Sequence, residues 1–168
     1  MTMNKFIFLD IDGVLNDDET YEKAPYGGTG IDDHHLYQLK QLTDNTDAKV
    51  VLSTDWRFNS PEFRDQYPNW KTAPLDWGYM INKLNKFEIP VVDITHDRCL
   101  TRGNEITMFL LRQTPPFSYV ILDDLPITEF TTHLPHLVHT DPTVGLTWDD
   151  IWKAQDILKI VEKRVSVI

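Results

Sequence analysis

The run Phe6-Ile7-Phe8-Leu9-Asp10-Ile11-Asp12-Gly13-Val14-Leu15-Asn16 constrains this chain more than any other segment. Four consecutive apolar residues predict a strand buried on both faces, as in the middle of a parallel sheet. Two carboxylates follow where that strand should end, and Gly13 turns the chain away. Residues i and i+2 of an extended chain point to the same side, so Asp10 and Asp12 are expected to project together. Two acids crowded at the carboxyl edge of a sheet repel each other unless a cation or a substrate phosphate engages them. The segment therefore predicts a catalytic site.

The rest of the chain supplies the elements that such a sheet needs. Asn16 to Gly30 is polar and glycine-rich, a loop or small flap. Leu36, Leu39 and Leu42 recur at helical spacing between Asp32 and Asp44, with Asp32 or Asp33 as the cap. Lys49 to Leu52 reads as a second strand, ending at Ser53-Thr54-Asp55-Trp56-Arg57. An aromatic and proline-rich stretch follows (Trp70, Pro74, Trp77), read as a packed satellite of the core. Met80, Leu84 and Phe87 then mark a helix. Pro90 to Ile94 predicts a third strand, and Gly103 to Arg112 a helix with Ile106, Phe109 and Leu110 inward. Tyr119 to Leu122 predicts a fourth strand ending at Asp123-Asp124, and Leu137 to Thr140 a weaker fifth. Thr147 to Asp150 fits a capping box for a last helix that turns Ile151, Leu158 and Val161 inward. Strands alternating with helices predict an α/β fold: a doubly wound, Rossmann-like parallel sheet of about five strands, with helices on both faces.

Bulk properties narrow the field. The 168 residues suit one domain, 1–168, without room for a large cap domain. A net charge of −10 disfavours an extended, non-specific grip on nucleic acid, since no basic stripe displaces counterions. It leaves open a short nucleic-acid end entering a local cationic pocket. Cys99 stands alone, so no internal disulfide forms, and a reducing cytoplasm is the expected compartment. Neither a signal segment nor an apolar run of membrane-spanning length is present in the sequence, so no membrane association is expected. The six histidines show no paired metal spacing and read as surface or structural groups.

Three strands end in chemically useful groups: Asp10 and Asp12, Ser53 and Thr54, and Asp123 and Asp124. Arg102 opens a helix between them. Convergence of carboxylates, a hydroxyl and one guanidinium suits a magnesium-assisted attack on a phosphate.

In this order, the segments resemble the four motifs of the haloacid dehalogenase superfamily of aspartate-nucleophile phosphohydrolases. Asp10-Ile11-Asp12-Gly13-Val14-Leu15 is similar to the first motif, and Ser53 to the phosphate-binding hydroxyl of the second. Arg102 resembles the basic residue of the third motif, and Asp123-Asp124 the acid pair of the fourth. The Leu-Ser-Thr-Asp-Trp-Arg segment, the start of the Arg102 helix and Gly145-Leu146-Thr147 resemble a compact subgroup associated with nucleic-acid repair enzymes. The resemblance implies that Asp10 is the nucleophile and Asp12 the general acid/base. It implies Mg²⁺ held by Asp10, the main-chain carbonyl of Asp12 and Asp124, with Asp123 a ligand or an acceptor behind it. Ser53, Thr54 and Arg102 are then expected around the substrate phosphate, with Arg57 beside them. Where Asp55 stands the family pattern carries a second small hydroxyl residue. An extra carboxylate near phosphate is repulsive unless Arg57 or a substrate hydroxyl engages it, or unless it caps the next turn. The implied substrate is a phosphorylated polymer end, such as a nucleic-acid 3′-phosphate, or a nucleotide or small metabolite.

Two other readings share this sequence. A phospho-signalling receiver domain also gathers acids on a doubly wound sheet, but places its phosphoacceptor after the third strand, where Asp93 lies inside it. A catalytically silent binding module of the same fold fits less well, because all four motif positions carry competent residues.

Overall fold

Strand β1 (Asn4–Leu9) occupies the centre of a five-stranded sheet because both of its faces are apolar. The computed structural model describes residues 3–25, 27–68 and 77–165. Strands β2 (Lys49–Leu52), β3 (Val91–Ile94), β4 (Phe117–Asp123) and β5 (Leu137–His139) complete the sheet in the order β3-β2-β1-β4-β5. All pairings are parallel, and Phe8 lies between Val51 of β2 and Ile121 of β4.

The period of two along each strand sorts the core into two layers. Phe6, Phe8, Val51, Tyr119 and Ile121 pack against Ile106 and Phe109 of helix α4 (Arg102–Leu110). Ile7, Leu9, Val50, Leu52, Val120 and Leu122 face the other way. They meet Leu36, Leu39 and Leu42 of α1 (Asp33–Thr46), and Ile151 and Ala154 of α5 (Trp148–Ile157). Met80 and Leu84 of α3 (Trp77–Lys86) join the same layer. Helices thus cover both faces, as the doubly wound reading requires.

Chain order fixes where ligands approach. The first three strands run outward on one side of β1, and the chain then crosses back to β4 on the other. The carboxyl ends of β1 and β4 flank this reversal, the place where a doubly wound sheet opens a crevice.

Local chemistry accounts for most boundaries. The Asp32 side chain accepts from the His34 N–H at the start of α1, and Thr147 and Asp150 form the expected capping box on α5. The far end of α5 differs from expectation. The helix ends at Ile157, Leu158 is buried, but Val161 is 45% exposed. The chain leaves the helix there to pair Glu162 with Phe117 at the start of β4, which turns Val161 outward.

Two elements between β2 and β3 lack a sequence expectation: a 3-10 helix over Asp55–Asn59 and helix α2 (Pro61–Gln66), capped by Thr54 and Ser60. Phe63 is buried between Phe58 and Tyr67, with ring centroids 4.8 and 4.6 Å away, so this part of the aromatic stretch is a satellite of the core. Trp70 and Pro74 lie outside the described residues. The glycine-rich segment after β1 is a strap bridged between Lys23 and Thr29. No described helix is long and apolar enough to cross a membrane.

Phe109 meets Phe6 and Phe8 edge-on, at 5.6 and 5.4 Å. Phe109→Ala should therefore lower the unfolding free energy by about 3–5 kcal/mol. Urea titration of the variant against the parent chain checks this.

Candidate active site

Strands β1, β2 and β5 are each tied to a neighbour one residue past their ends, and those ties align the chemistry. The Asp10 N–H donates to Leu122 O (3.0 Å), and the Ser53 N–H to Leu9 O (2.9 Å). The Thr140 N–H donates to Asp123 O (3.1 Å). Asp10, Ser53 and Asp123 are thereby set side by side at the β1–β4 reversal. Gly13 then turns with a φ of +70°, and a Cβ there would fall 2.3 Å from a carboxylate oxygen of Asp124. Only glycine accepts both the left-handed backbone and that approach.

Asp10, Asp123 and Asp124 can each aim one carboxylate oxygen so that all three lie within 4.8 Å of one another. The cation among them is Arg102. Its Nη1 donates to Ser53 O and to Asp123 Oδ2 (3.2 Å), and lies 3.7 Å from Asp10 Oδ1. Its Nη2 donates to Asp55 Oδ1 at 3.0 Å. Burial opposes the charge on Arg102, but Asp10, Asp123, Asp55 and Glu105 more than offset it and hold the guanidinium protonated.

The acids fare differently. Burial drives the Asp10 carboxyl up to about 6, against the pull of Arg102, the Thr54 hydroxyl and the Ile11 N–H. Burial, reinforced by the charge on Asp10, drives Asp123 up to about 8. Asp124 is raised too, again chiefly by burial. Three oxygen donors that resist carrying charge without a cation suit a hard divalent ion such as Mg²⁺. The Ser53 hydroxyl adds a second sign of an expected ligand, being buried without a hydrogen-bond partner. The Thr95 and Ser118 hydroxyls share that state, Ser118 at the opposite end of β4.

Arg57 lies against Thr54, as the sequence suggested, but its guanidinium is turned into the interior and not toward the cleft. Its side chain is fully buried, with Nε on Thr95 O (3.0 Å), Nη1 on Thr54 O (2.7 Å) and Nη2 on Glu105 Oε2 (2.6 Å). The 3-10 turn that follows Thr54 swings the residue inward, where Glu105 of α4 awaits it. Thr54, not Asp55, caps that turn; Asp55 is bound to Arg102 at 3.0 Å and lies 3.7 Å from Arg57 Nη1, the engagement by Arg57 that the sequence allowed, and its side chain is 69% exposed.

Asp12 shares the cleft with Asp10 but none of its partners. Strand β1 ends at Leu9, so the period of two stops short of both acids. The Asp12 carboxylate accepts instead from Asn16 Nδ2 and Trp56 Nε1, both at 2.9 Å. It is absent from the group of three carboxylates described above. Sequence reasoning missed both donors. Asn16 also accepts from the Gly13 N–H, a pattern that its place four residues after Asp12 allows. Buried His35, His133 and His136 serve the framework: His35, for example, joins Asp17 to Leu146 O.

Two outcomes follow from this geometry. In EDTA, the folded chain keeps protons on Asp10 and Asp123 that the unfolded chain releases above its ordinary carboxylate value of 3.8. That contribution is present at low pH and lost as pH rises toward about 6 and then about 8. The melting temperature in EDTA should fall between about pH 5 and about pH 8, and Asp123→Asn should flatten the upper part of the fall. Gly13→Ala should displace Asp124, and any stabilisation that added Mg²⁺ gives the parent chain should then need roughly tenfold more metal or more, read by titrating the metal against thermal stability.

Comparison with curated proteins and with solved structures found no match. Residues 6–151 match the family described as "HAD domain in Swiss Army Knife RNA repair proteins". That span runs from inside β1 to the first turns of α5 and includes every acid, hydroxyl and guanidinium just described. The chain belongs to this family of haloacid dehalogenase domains from RNA repair proteins.

Proposed function

We propose that this domain is a Mg²⁺-dependent phosphomonoester hydrolase that works through an aspartyl-phosphate on Asp10. The observation that carries the reading is Asp10 itself: a buried carboxylate at the sheet reversal, within 3.7 Å of a buried guanidinium and grouped with two further acids.

Roles follow from position. An oxygen of Asp10 attacks phosphorus, and the bond from phosphorus to the ester oxygen breaks. Asp12 gives its proton to that departing oxygen. Water then attacks the phosphorus of the aspartyl-phosphate, Asp12 takes its proton, and the bond to Asp10 breaks to release inorganic phosphate. Splitting one displacement into two lowers each barrier, and a positioned proton donor contributes roughly 10²–10⁴-fold. Ser53 offers its unpartnered hydroxyl, and Thr54 its main-chain N–H, to phosphoryl oxygens. Arg102 supplies positive charge beside Asp10, with a fork suited to two oxygens. Asp10, Asp124 and the main-chain carbonyl of Asp12 would hold the Mg²⁺, with Asp123 beside them. Bound there, the ion offsets the repulsion between an anionic nucleophile and an anionic phosphate.

The family's description as a component of RNA repair proteins favours a phosphorylated nucleic-acid end over a small metabolite as substrate. The net charge of −10 favours a terminal phosphate gripped locally over any extended contact with the strand.

The test is phosphate release from a panel of aryl phosphate, mononucleotides, sugar phosphates and oligonucleotides with 3′- or 5′-phosphate ends. Release should require Mg²⁺, stop in EDTA, and fall by about 10³-fold or more in Asp10→Asn. A fully active Asp10→Asn protein would remove the nucleophile assignment.

A further inference from the structure

We propose that Trp56 is a positioning residue for proton transfer, its indole N–H holding the Asp12 carboxylate in the one orientation that serves the ester oxygen. This rests on the phosphatase reading above. Trp56 Nε1 donates to Asp12 Oδ2 and Asn16 Nδ2 to Asp12 Oδ1, each at 2.9 Å, so each carboxylate oxygen has one fixed donor. The terminal torsion of an aspartate is otherwise broad and nearly two-fold, and one donor alone would leave it free to swing.

The indole cannot act in any other chemical way. Its N–H is a donor only and neither takes nor supplies the transferred proton. Its direction is set by the chain around it. Trp56 follows Ser53 and Thr54 by two or three residues, and the Thr54 hydroxyl accepts from its main-chain N–H. The loop that presents the phosphate-binding groups therefore also aims the donor at Asp12. The ring is 5% exposed and packs at 6.4 Å from Tyr79, whose hydroxyl accepts from the Ile31 N–H and donates to Glu22. A buried indole needs some acceptor, and a main-chain carbonyl would satisfy it. Here the acceptor is the acid/base carboxylate itself.

Misplacing a catalytic group by about 1 Å costs on the order of 10²-fold in rate. That cost falls only on steps needing the proton, which gives the test its contrast. An alkyl phosphate must have its departing oxygen protonated, whereas an activated aryl phosphate releases a stable phenolate without help. First-turnover release of the alcohol or phenol is measured for the parent chain and for Trp56→Phe, which keeps an aromatic ring without the N–H. Release from the alkyl ester should fall by about tenfold to a hundredfold. The loss on the aryl ester should be several-fold smaller, with half-saturating substrate concentrations unchanged. A benzothienylalanine at position 56, with sulfur in place of N–H, keeps the bicyclic shape and should give the same split even if the Phe variant is unstable. Equal losses on both esters, or no loss on either, would overturn the assignment of Trp56 alone. No metal-dependent release by the parent chain from either ester would overturn the phosphatase reading and this assignment with it.

Discussion

One buried guanidinium holds the site together. Without Arg102, Asp10 and Asp123 would face each other at the sheet reversal with nothing to offset their repulsion, and removing one partner of a buried charge group typically costs about 3–5 kcal/mol. Arg102 also grips the main chain at Ser53, so the same group that neutralises the acids fixes the loop after β2. Arg102 is itself held from behind: Glu105, one turn along α4, lies 3.7 Å from its Nε and is in turn gripped by Arg57. The result is a chain of alternating charges from the cleft into the interior. Each link gives the next a reason to stay buried.

This arrangement divides the site by mobility of charge. Arg102, Arg57 and Glu105 form a fixed frame, with donors and acceptors largely matched within the protein. Asp10, Asp123 and Asp124 are left with more negative charge than one guanidinium can balance. Burial first, and the neighbouring acids second, raise their carboxyls above the usual range, and a site of that kind suits a divalent cation. The cleft meets solvent at Asp55, whose side chain is 69% exposed.

Much of this was readable from the chain because the signals were local. Four apolar residues followed by Asp10 locate β1 and its end without any tertiary information, and Tyr119 to Leu122 followed by two acids does the same for β4. The capping box at Thr147 needed only a three-residue spacing. What escaped depended on contacts far apart in sequence. Arg57 reads as a cleft residue until Glu105 and Thr95 are brought to it, 48 and 38 positions away. Trp56 reads as core packing until β1 and the loop after β2 are adjacent, 44 positions separating it from Asp12. Val161 continues a helical pattern that ends early, because Phe117 offers its main chain to Glu162. In each case the local pattern was legible and the distant partner that decides the side chain's place was not.

The strap after β1 is fastened at two places. At one end His35 binds Asp17, and at the other Tyr79 accepts from the Ile31 N–H while Lys83 grips Glu22 and Asp33. Among its described residues the chain between these anchors gives the core only Ala24 as a buried apolar side chain, and Tyr21 lies almost wholly in water. Lengthening a loop whose ends are already pinned costs only about 0.6 kcal/mol for each doubling. A fold organised this way offers a port beside Asp12 where inserts of very different size can be accommodated while the framework of acids and guanidiniums beneath stays unchanged.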